Sequence, residues 1–338
     1  MRSFVVALDV GGTSMKGALV DRVGTILHTE RRATPRQHGP EAVVKTIRAF
    51  ITHLTRLGDT LPTGHPGGDR RGPLRPKAGR EHSGLAGVGL VVPGLVTPTT
   101  AVYAANLGWR DVPAEEFTSL DVPVMLGHDV RTGGLAESVL GAGRECTDFL
   151  FLPIGTGIAG AMIIDGEPYG GAAGWSGEIG HIPVLPDGET CACGQIGCLE
   201  TYASAASVGR RYSLRAARPG TRAEQVVSLA RSGDPVAVAV WNDAVEALSL
   251  ALASYTLLLD PAVIVLGGGL AEAGSALSDP LRERLSKRLA FREAPPLNSA
   301  ALGVNAGMLG AALLGWHAAG DPGIGGTWTV PLSLPPAP

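Results

Sequence analysis

GEIGHIPVLPDGETCACGQIGCLETYAS, residues 177–204, holds three of the chain's four cysteines and one of its eight histidines. His181, Cys191, Cys193 and Cys198 offer one imidazole and three thiolates within eighteen residues. That is the ligand set of a closed tetrahedral zinc site, with no open position for a reactive water. The spacing H-x9-C-x-C-x4-C departs from the usual finger pattern, and Gly188, Gly194 and Gly197 let the backbone turn tightly around a metal. Two other readings compete: ordinary buried cysteines beside a core histidine, and a disulfide. Three cysteines in eight residues are hard to explain as packing. Cys191 and Cys193 are too close to pair easily, and nothing in the chain indicates secretion. Two carboxylates, Glu178 and Glu200, flank the cluster; taken alone they read as a solvated loop charge and a charge in the first turn of a helix.

GEIGH followed by CxCGxxGCLExYAS resembles the signature of the ROK family, whose name joins repressors, open reading frames and kinases. Most members of known activity are ATP-dependent sugar kinases; others are sugar-responsive repressors. The resemblance implies that His181, Cys191, Cys193 and Cys198 bind a structural Zn2+ that performs no catalysis. It also implies that Glu178, His181 and Glu200 face the sugar. His181 would use one ring nitrogen for zinc and the other for a sugar hydroxyl, as neutral imidazole chemistry allows.

The whole chain bounds this reading. Its 338 residues suggest two domains. A hydrophobic content of 45% with 17% charged residues describes a core-forming protein. Net charge is −3, so composition points to neither nucleic acid nor an anionic membrane as partner. MRSFVVALDVGGT runs from a short apolar strand into acid and glycine, unlike a signal peptide. No apolar run reaches the roughly 20 residues that span a bilayer. Reduced cysteines at a metal site fit a cytoplasmic protein.

Towards the N-terminus, FVVALDV (4–10) is short, apolar and β-branched, a buried strand. GGTSMKGALVD follows, so Asp9, Gly11, Gly12, Thr13 and Lys16 form D-x-G-G-T-x-x-K. The glycines allow close approach of phosphate oxygens, and the hydroxyl and ammonium add donors. The segment is neither a Walker loop nor G-x-G-x-x-G, because KGALVD returns as a strand. The plain alternative is a hairpin turn. A strand-turn-strand with an aspartate at its mouth resembles the first phosphate loop of the actin-like ATPase fold, which ROK kinases share.

Residues 25–34 extend the meander. Residues 40–57 form an amphipathic helix with Pro40 at its start and one apolar stripe. Residues 58–84 break every periodicity and read as a flexible insertion. LAGVGLVVPGLV (85–96) is a strand ending in Pro93-Gly94, a turn that the resemblance places at the sugar pocket. Asn106 then resembles the family asparagine near the sugar, with Trp109 either stacking there or packing in the core.

VPVMLGHDVRTGGLAES (122–138) reads as a strand, a corner and a helix. Asp129 stands where the helix begins, and its local reading is an N-cap. The resemblance reverses this: ROK kinases carry an Asn-Asp pair here, the Asp being the base that takes the proton from the sugar hydroxyl. In this chain the pair is His128-Asp129. The base is kept, the neighbouring sugar contact is altered, and His128 is a candidate donor in place of the amide.

DFLFLPIGTGIAGAMIIDGEPYGG (148–171) repeats the plan of residues 4–21: apolar strand, a turn at Gly155, Thr156 and Gly157, then a second strand. Actin-like folds contain such a duplication, and by that resemblance the turn would be a second phosphate clamp. Helices are expected at 207–217, 222–231 and 235–259. AVIVLGGGLAEAG (262–274) is a further strand followed by Gly267, Gly268 and Gly269, which the fold resemblance places against the adenosine. A helix near 279–289 and the segment 301–318 complete the chain.

The expectation is therefore an α/β protein of the two-domain actin-like ATPase (ribonuclease H-like) class, with the active site in an interdomain cleft. Residues 1–129, completed by 301–318, form one domain. Residues 130–300 form the other, with the zinc segment, and 319–338 are an irregular tail. The expected activity is transfer of phosphate from ATP, with Mg2+, to a hexose, first glucose at C6. An N-acylmannosamine or other hexose kinase is the alternative, then a non-catalytic sugar-binding protein. ROK repressors carry an extra N-terminal winged helix; with Asp9 already in the expected first strand, a sugar-sensing regulator is the less expected reading. Relatives suggest a homodimer or homotetramer.

Overall fold

In the computed structural model, every side chain of Phe4–Val10 (β1) except Asp9 is buried, as befits a central strand covered on both faces. Its antiparallel partner Ser14–Asp21 (β2) returns through the Gly11–Thr13 turn. Ile26–Ala33 (β3) alternates between exposed and partly covered positions and takes the sheet edge. Helix α1 (Pro40–Thr60) buries Val43, Ile47, Phe50, Ile51 and Leu54, the stripe expected from a 3.6-residue period. Each such side chain contributes about 1.5–3 kcal/mol of transfer free energy. Leu85–Val92 (β4) and Val124–His128 (β8) add in parallel, giving the order β3-β2-β1-β4-β8. Between them, Leu95–Thr97 (β5), Thr100–Ala104 (β6) and Trp109–Pro113 (β7) form a separate antiparallel sheet. Helix α2 (Asp129–Leu140) follows β8 without an intervening loop.

The second sheet repeats the first. Phe149–Pro153 (β9), Ala161–Ile164 (β10) and Glu167–Pro168 (β11) form an antiparallel meander. Helices α3 (Leu199–Ala203), α4 (Ala205–Arg215), α5 (Ala223–Arg231) and α6 (Pro235–Leu259) precede Val263–Gly267 (β12). Helix α7 (Ser275–Arg288) then leads to Leu297–Ser299 (β13). β12 and β13 add in parallel, giving β11-β10-β9-β12-β13, the same order and polarity as the first sheet. The duplication read from the two strand-turn-strand segments is thus a duplication of the whole sheet.

Helix α6 is long and apolar enough to cross a bilayer by length and composition, but 61% of its apolar window is buried. Val240, Trp241, Ala244, Leu248 and Leu252 place it at the centre of the second core. The 25-residue helix matches the expected 235–259.

The structure describes residues 2–61 and 84–329; most of the expected 58–84 insertion and the end of the expected 319–338 tail lie outside them. The chain divides into two compact units, Met1–Thr132 with Gly307–Pro338, and Gly133–Ala306. Helix α8 (Ala306–Ala318) returns the chain to the first unit. It lies so close to β4 that a Cβ at Gly89 would stand 1.7 Å from the Ala311 carbonyl oxygen. Only glycine fits there.

The tail departs from expectation up to Thr329. Ile324–Thr327 form a helical turn, and Trp328 is buried, its Nε1 donating to the Arg22 carbonyl at 3.1 Å. A Pro/Gly-rich composition concealed one large aromatic with a place to go.

Candidate active site

In the first unit, the β1–β2 hairpin sets Asp9 directly opposite Lys16. The Gly11 amide donates to the Ser14 carbonyl at 3.0 Å, closing the turn. The Thr34 hydroxyl donates to the Gly11 carbonyl at 2.7 Å and fixes the turn from β3's far end. Burial pushes the Asp9 carboxyl above its ordinary range; Lys16 opposes this shift and Asp129 adds to it. Two acids and one ammonium thus share this end of the sheet.

β4 holds β8 in parallel register, Val92 beside His128, and delivers Asp129 to the first position of α2. The Asp129 Oδ1 accepts from the adjacent Val130 amide at 2.8 Å. The amide of Arg131 donates instead to His128 Nδ1 at 3.4 Å. His128 therefore occupies the capping role that the local sequence assigns to Asp129. The Asp129 side chain is 45% exposed. Burial by the surrounding protein raises the Asp129 carboxyl above its ordinary range, against the Val130 amide and the Arg131 cation.

Asn106 is exposed on the turn between β6 and β7. Trp109 is core: it is 1% exposed, its Nε1 donates to the Pro40 carbonyl at 3.3 Å, and its ring lies 5.1 Å from that of Phe117. Of the two roles open to it, the structure gives it packing.

In the second unit, the Gly155–Gly157 turn closes with the Gly155 amide on the Gly157 carbonyl at 3.0 Å. Gly267–Gly269 stand beside it: Ile154 N–H donates to the Gly267 carbonyl at 2.9 Å, and Leu270 N–H to the Ile154 carbonyl at 3.0 Å. On the other side, the Ala205 amide at the start of α4 donates to the Gly155 carbonyl at 2.8 Å. Glu200 Oε2 accepts the Ile158 amide at 2.7 Å, and a Cβ at Gly157 would come within 2.6 Å of that oxygen. Glu200 therefore braces the Gly155–Gly157 turn from the cysteine-rich segment, a contact that spacing in the chain does not reveal.

The four expected metal ligands converge, all ligand atoms lying within 4.8 Å of one another. Cys193 and Cys198 Sγ are 3.7 Å apart, and Cys191 Sγ is 3.8 Å from His181 Nδ1. A tetrahedral ion bonded to sulfur at about 2.3 Å sets its sulfurs roughly 3.8 Å apart, so the spacing fits zinc. Burial pushes the Cys198 thiol up to about 12, helped by the neighbouring sulfurs. Burial acts the same way on Cys191, but donors from Cys193, Thr201 and Cys198 outweigh it and lower that thiol to about 6. Three thiols this close cannot all ionise unless a cation offsets their repulsion. His181 Nε2 lies 3.9 Å from Glu178 Oε2.

Sequence reasoning missed a cavity of about 560 Å3 that Thr156 shares with α4 and the loop following it. Ala206, Gly209 and Ser213 form a wall of small side chains, faced by Gly220 and Thr221. The signal was present as small residues at helical spacing, in a stretch read only as helix.

The ROK family pattern matches residues 5–67 and 74–318. The chain belongs to the ROK family. A glucokinase of Halalkalibacterium halodurans is 33% identical over 336 residues, covering 92% of this chain and 93% of that protein. The ROK hexokinase of Thermus thermophilus superposes with a TM-score of 0.75 at 30% identity, covering 93% of this chain and 98% of the other. The ROK family glucokinase of Streptomyces griseus, solved with glucose and AMPPNP, gives 0.72 at 29% identity, over 93% and 100%. ROK relatives of other activity match too. An N-acetylgalactosamine kinase of Shewanella sp. is 30% identical over 91% of this chain and 95% of its own length. A xylose repressor of Bacillus spizizenii is 26% identical over 91% and 75%. The two-domain α/β fold is that of the ROK sugar kinases, consistent with an actin-like ATPase fold.

Proposed function

We propose that this ROK protein is an ATP-dependent hexose kinase that phosphorylates glucose at C6. The observation that carries the mechanism is Asp129: a half-exposed carboxylate at the start of α2, raised in proton affinity, in the same unit as the Asp9–Lys16 hairpin. The glucokinase relatives support the class of reaction. Asp129 orients the hydroxyl and takes its proton. The amides of Gly11, Gly12 and Thr13 and those of Gly155, Thr156 and Gly157 hold phosphate oxygens, with Lys16 adding charge. The cavity beside Thr156 accepts the base and ribose, with Gly267–Gly269 on the other flank of the turn. Asn106, His128, Glu178, His181 and Glu200 read the sugar hydroxyls. Glu200 uses Oε1 for this, since Oε2 is taken by Ile158.

Mg2+ brought with ATP would offset the phosphate charge. Zn2+ held by His181, Cys191, Cys193 and Cys198 keeps Glu178 and Glu200 in register. With Nδ1 facing the sulfurs, His181 keeps Nε2 for a hydroxyl.

The N-acetylgalactosamine kinase relative favours an N-acetylhexosamine as second reading. ADP release with Mg-ATP is measured against glucose, mannose, fructose, N-acetylglucosamine, N-acetylgalactosamine and N-acetylmannosamine. Turnover highest with glucose supports the proposal. Preference for an N-acetyl sugar moves the substrate, and no turnover from folded, zinc-loaded protein overturns the kinase reading.

A further inference from the structure

His128 and Asp129 are adjacent in sequence, and their contacts determine what each can do. His128 Nδ1 accepts the Arg131 amide proton, so a neutral ring carries its own proton on Nε2. Burial, with the Arg131 cation adding to it, lowers the imidazole to about 4, so the ring is neutral at ordinary pH. The same Nδ1 lies 3.2 Å from Asp129 Oδ1. While Asp129 is ionised, the electron-rich Nδ1 and the carboxylate oxygen stand across that gap with no proton between them, and repel. A proton on the carboxyl relieves that repulsion, while the single Nδ1 lone pair stays with the Arg131 amide.

We propose that His128 is a positioning residue that raises the proton affinity of Asp129, its Nδ1, fixed by the Arg131 amide, standing against Oδ1 and disfavouring the ionised carboxyl. This rests on the reading of Asp129 as the base. In the step, the sugar O–H bond breaks and its proton passes to Asp129, while the oxygen's electron pair forms the new bond to the γ-phosphorus. The bond to the leaving β-phosphate oxygen breaks, and its pair departs with ADP. The proton passes from Asp129 to solvent after product release. Other groups face the carboxyl. Asp9 on β1 acts in the same sense as His128, tempered by Lys16 across the hairpin on β2. Arg131 and the Val130 amide on α2 act against it.

His128→Asn is the test. Asparagine is a good cap: its Oδ1 takes the Arg131 amide and turns its N–H2 towards Asp129. A donor then replaces a lone pair, which favours the ionised carboxyl. Carbon-13 NMR of the Asp129 carboxyl, in full-length zinc-loaded protein without substrates, follows its titration in wild type and variant. We expect the titration, and the acid limb of the kcat/KM profile, to move down by about one pH unit in H128N. A carboxyl that titrates at the same or a higher pH in the variant overturns the proposal. The NMR readout needs no turnover, so failure of the kinase reading is seen separately, as an Asp129→Asn variant that keeps full activity.

Discussion

Glu137 is a carboxylate with no exposed surface, and three backbone amides point at it. Oε2 accepts Ala142 N–H at 2.8 Å and Ala301 N–H at 3.2 Å, and Oε1 accepts Leu302 N–H at 2.9 Å. The side chain thereby ties the end of α2 to a segment more than 160 residues later, within the second unit. Glu137→Gln keeps the shape and removes the charge. If the amide oxygen serves Ala142 and Ala301, its N–H2 meets the Leu302 amide, donor against donor. A buried amide left without an acceptor costs about 1–3 kcal/mol. The two surviving bonds each lose about 1 kcal/mol as they pass from charge-assisted to neutral. Relief from burying a charge offsets part of this. The expected net loss is about 2–4 kcal/mol, and Glu137→Ala, with three orphaned amides, should lose more. Urea unfolding followed through Trp241, a buried reporter in the same unit, reads it. Amide exchange at Ala142, Ala301 and Leu302 should accelerate in parallel. A loss under about 0.5 kcal/mol for E137Q, with those amides still protected, would refute this account of the junction.

Cys193→Ser should lose zinc and loosen the segment from Glu178 to Glu200, because metal binding and folding are coupled there; metal content by emission spectroscopy and circular dichroism check it. Full zinc retention in that variant, or fully active metal-free wild type, would contradict the site. The His128 imidazole should titrate near pH 4 by NMR, its value being about 4, and remain neutral from about pH 5 to 8. With a folded pKa below the unfolded one near 6.5, this group costs stability as pH falls from about 6.5 to about 4 and leaves it flat above. The raised carboxyls of Asp9 and Asp129 act in the opposite sense, favouring the fold at low pH. A His128 titration near 6.5 would show that the ring is not desolvated.

Much of the fold was legible because its signals are local. The strand-turn-strand at residues 4–21 shows itself by an apolar run, two glycines and a second apolar run, and its echo at 148–171 foretold the repeated sheet. The Cys3His cluster was legible because three of its four residues lie within eight positions. The sequence has no comparable signal for partners brought together by folding. Glu137 reads as one helix-surface acid, since its acceptor duty depends on Ala301 and Leu302. Glu200 reads as a first-turn charge until Ile158 arrives beside it. At residues 128–129 a local rule pointed the wrong way: an aspartate beginning a helix suggests a cap, yet His128 caps it. The half-exposed carboxyl there is the feature on which the proposed chemistry turns. Trp328 was lost in a Pro/Gly-rich context whose composition outweighed one residue's burial.

The central claim, that Asp129 is the base of a hexose kinase, is tested most directly by steady-state ADP release for Asp129→Asn, with sugar affinity measured separately by calorimetry. The amide keeps the shape and removes the proton acceptor. The account predicts a fall in kcat of roughly 10²–10⁴-fold, with sugar affinity within a few-fold of wild type. A variant whose kcat stays within a few-fold of wild type would contradict it.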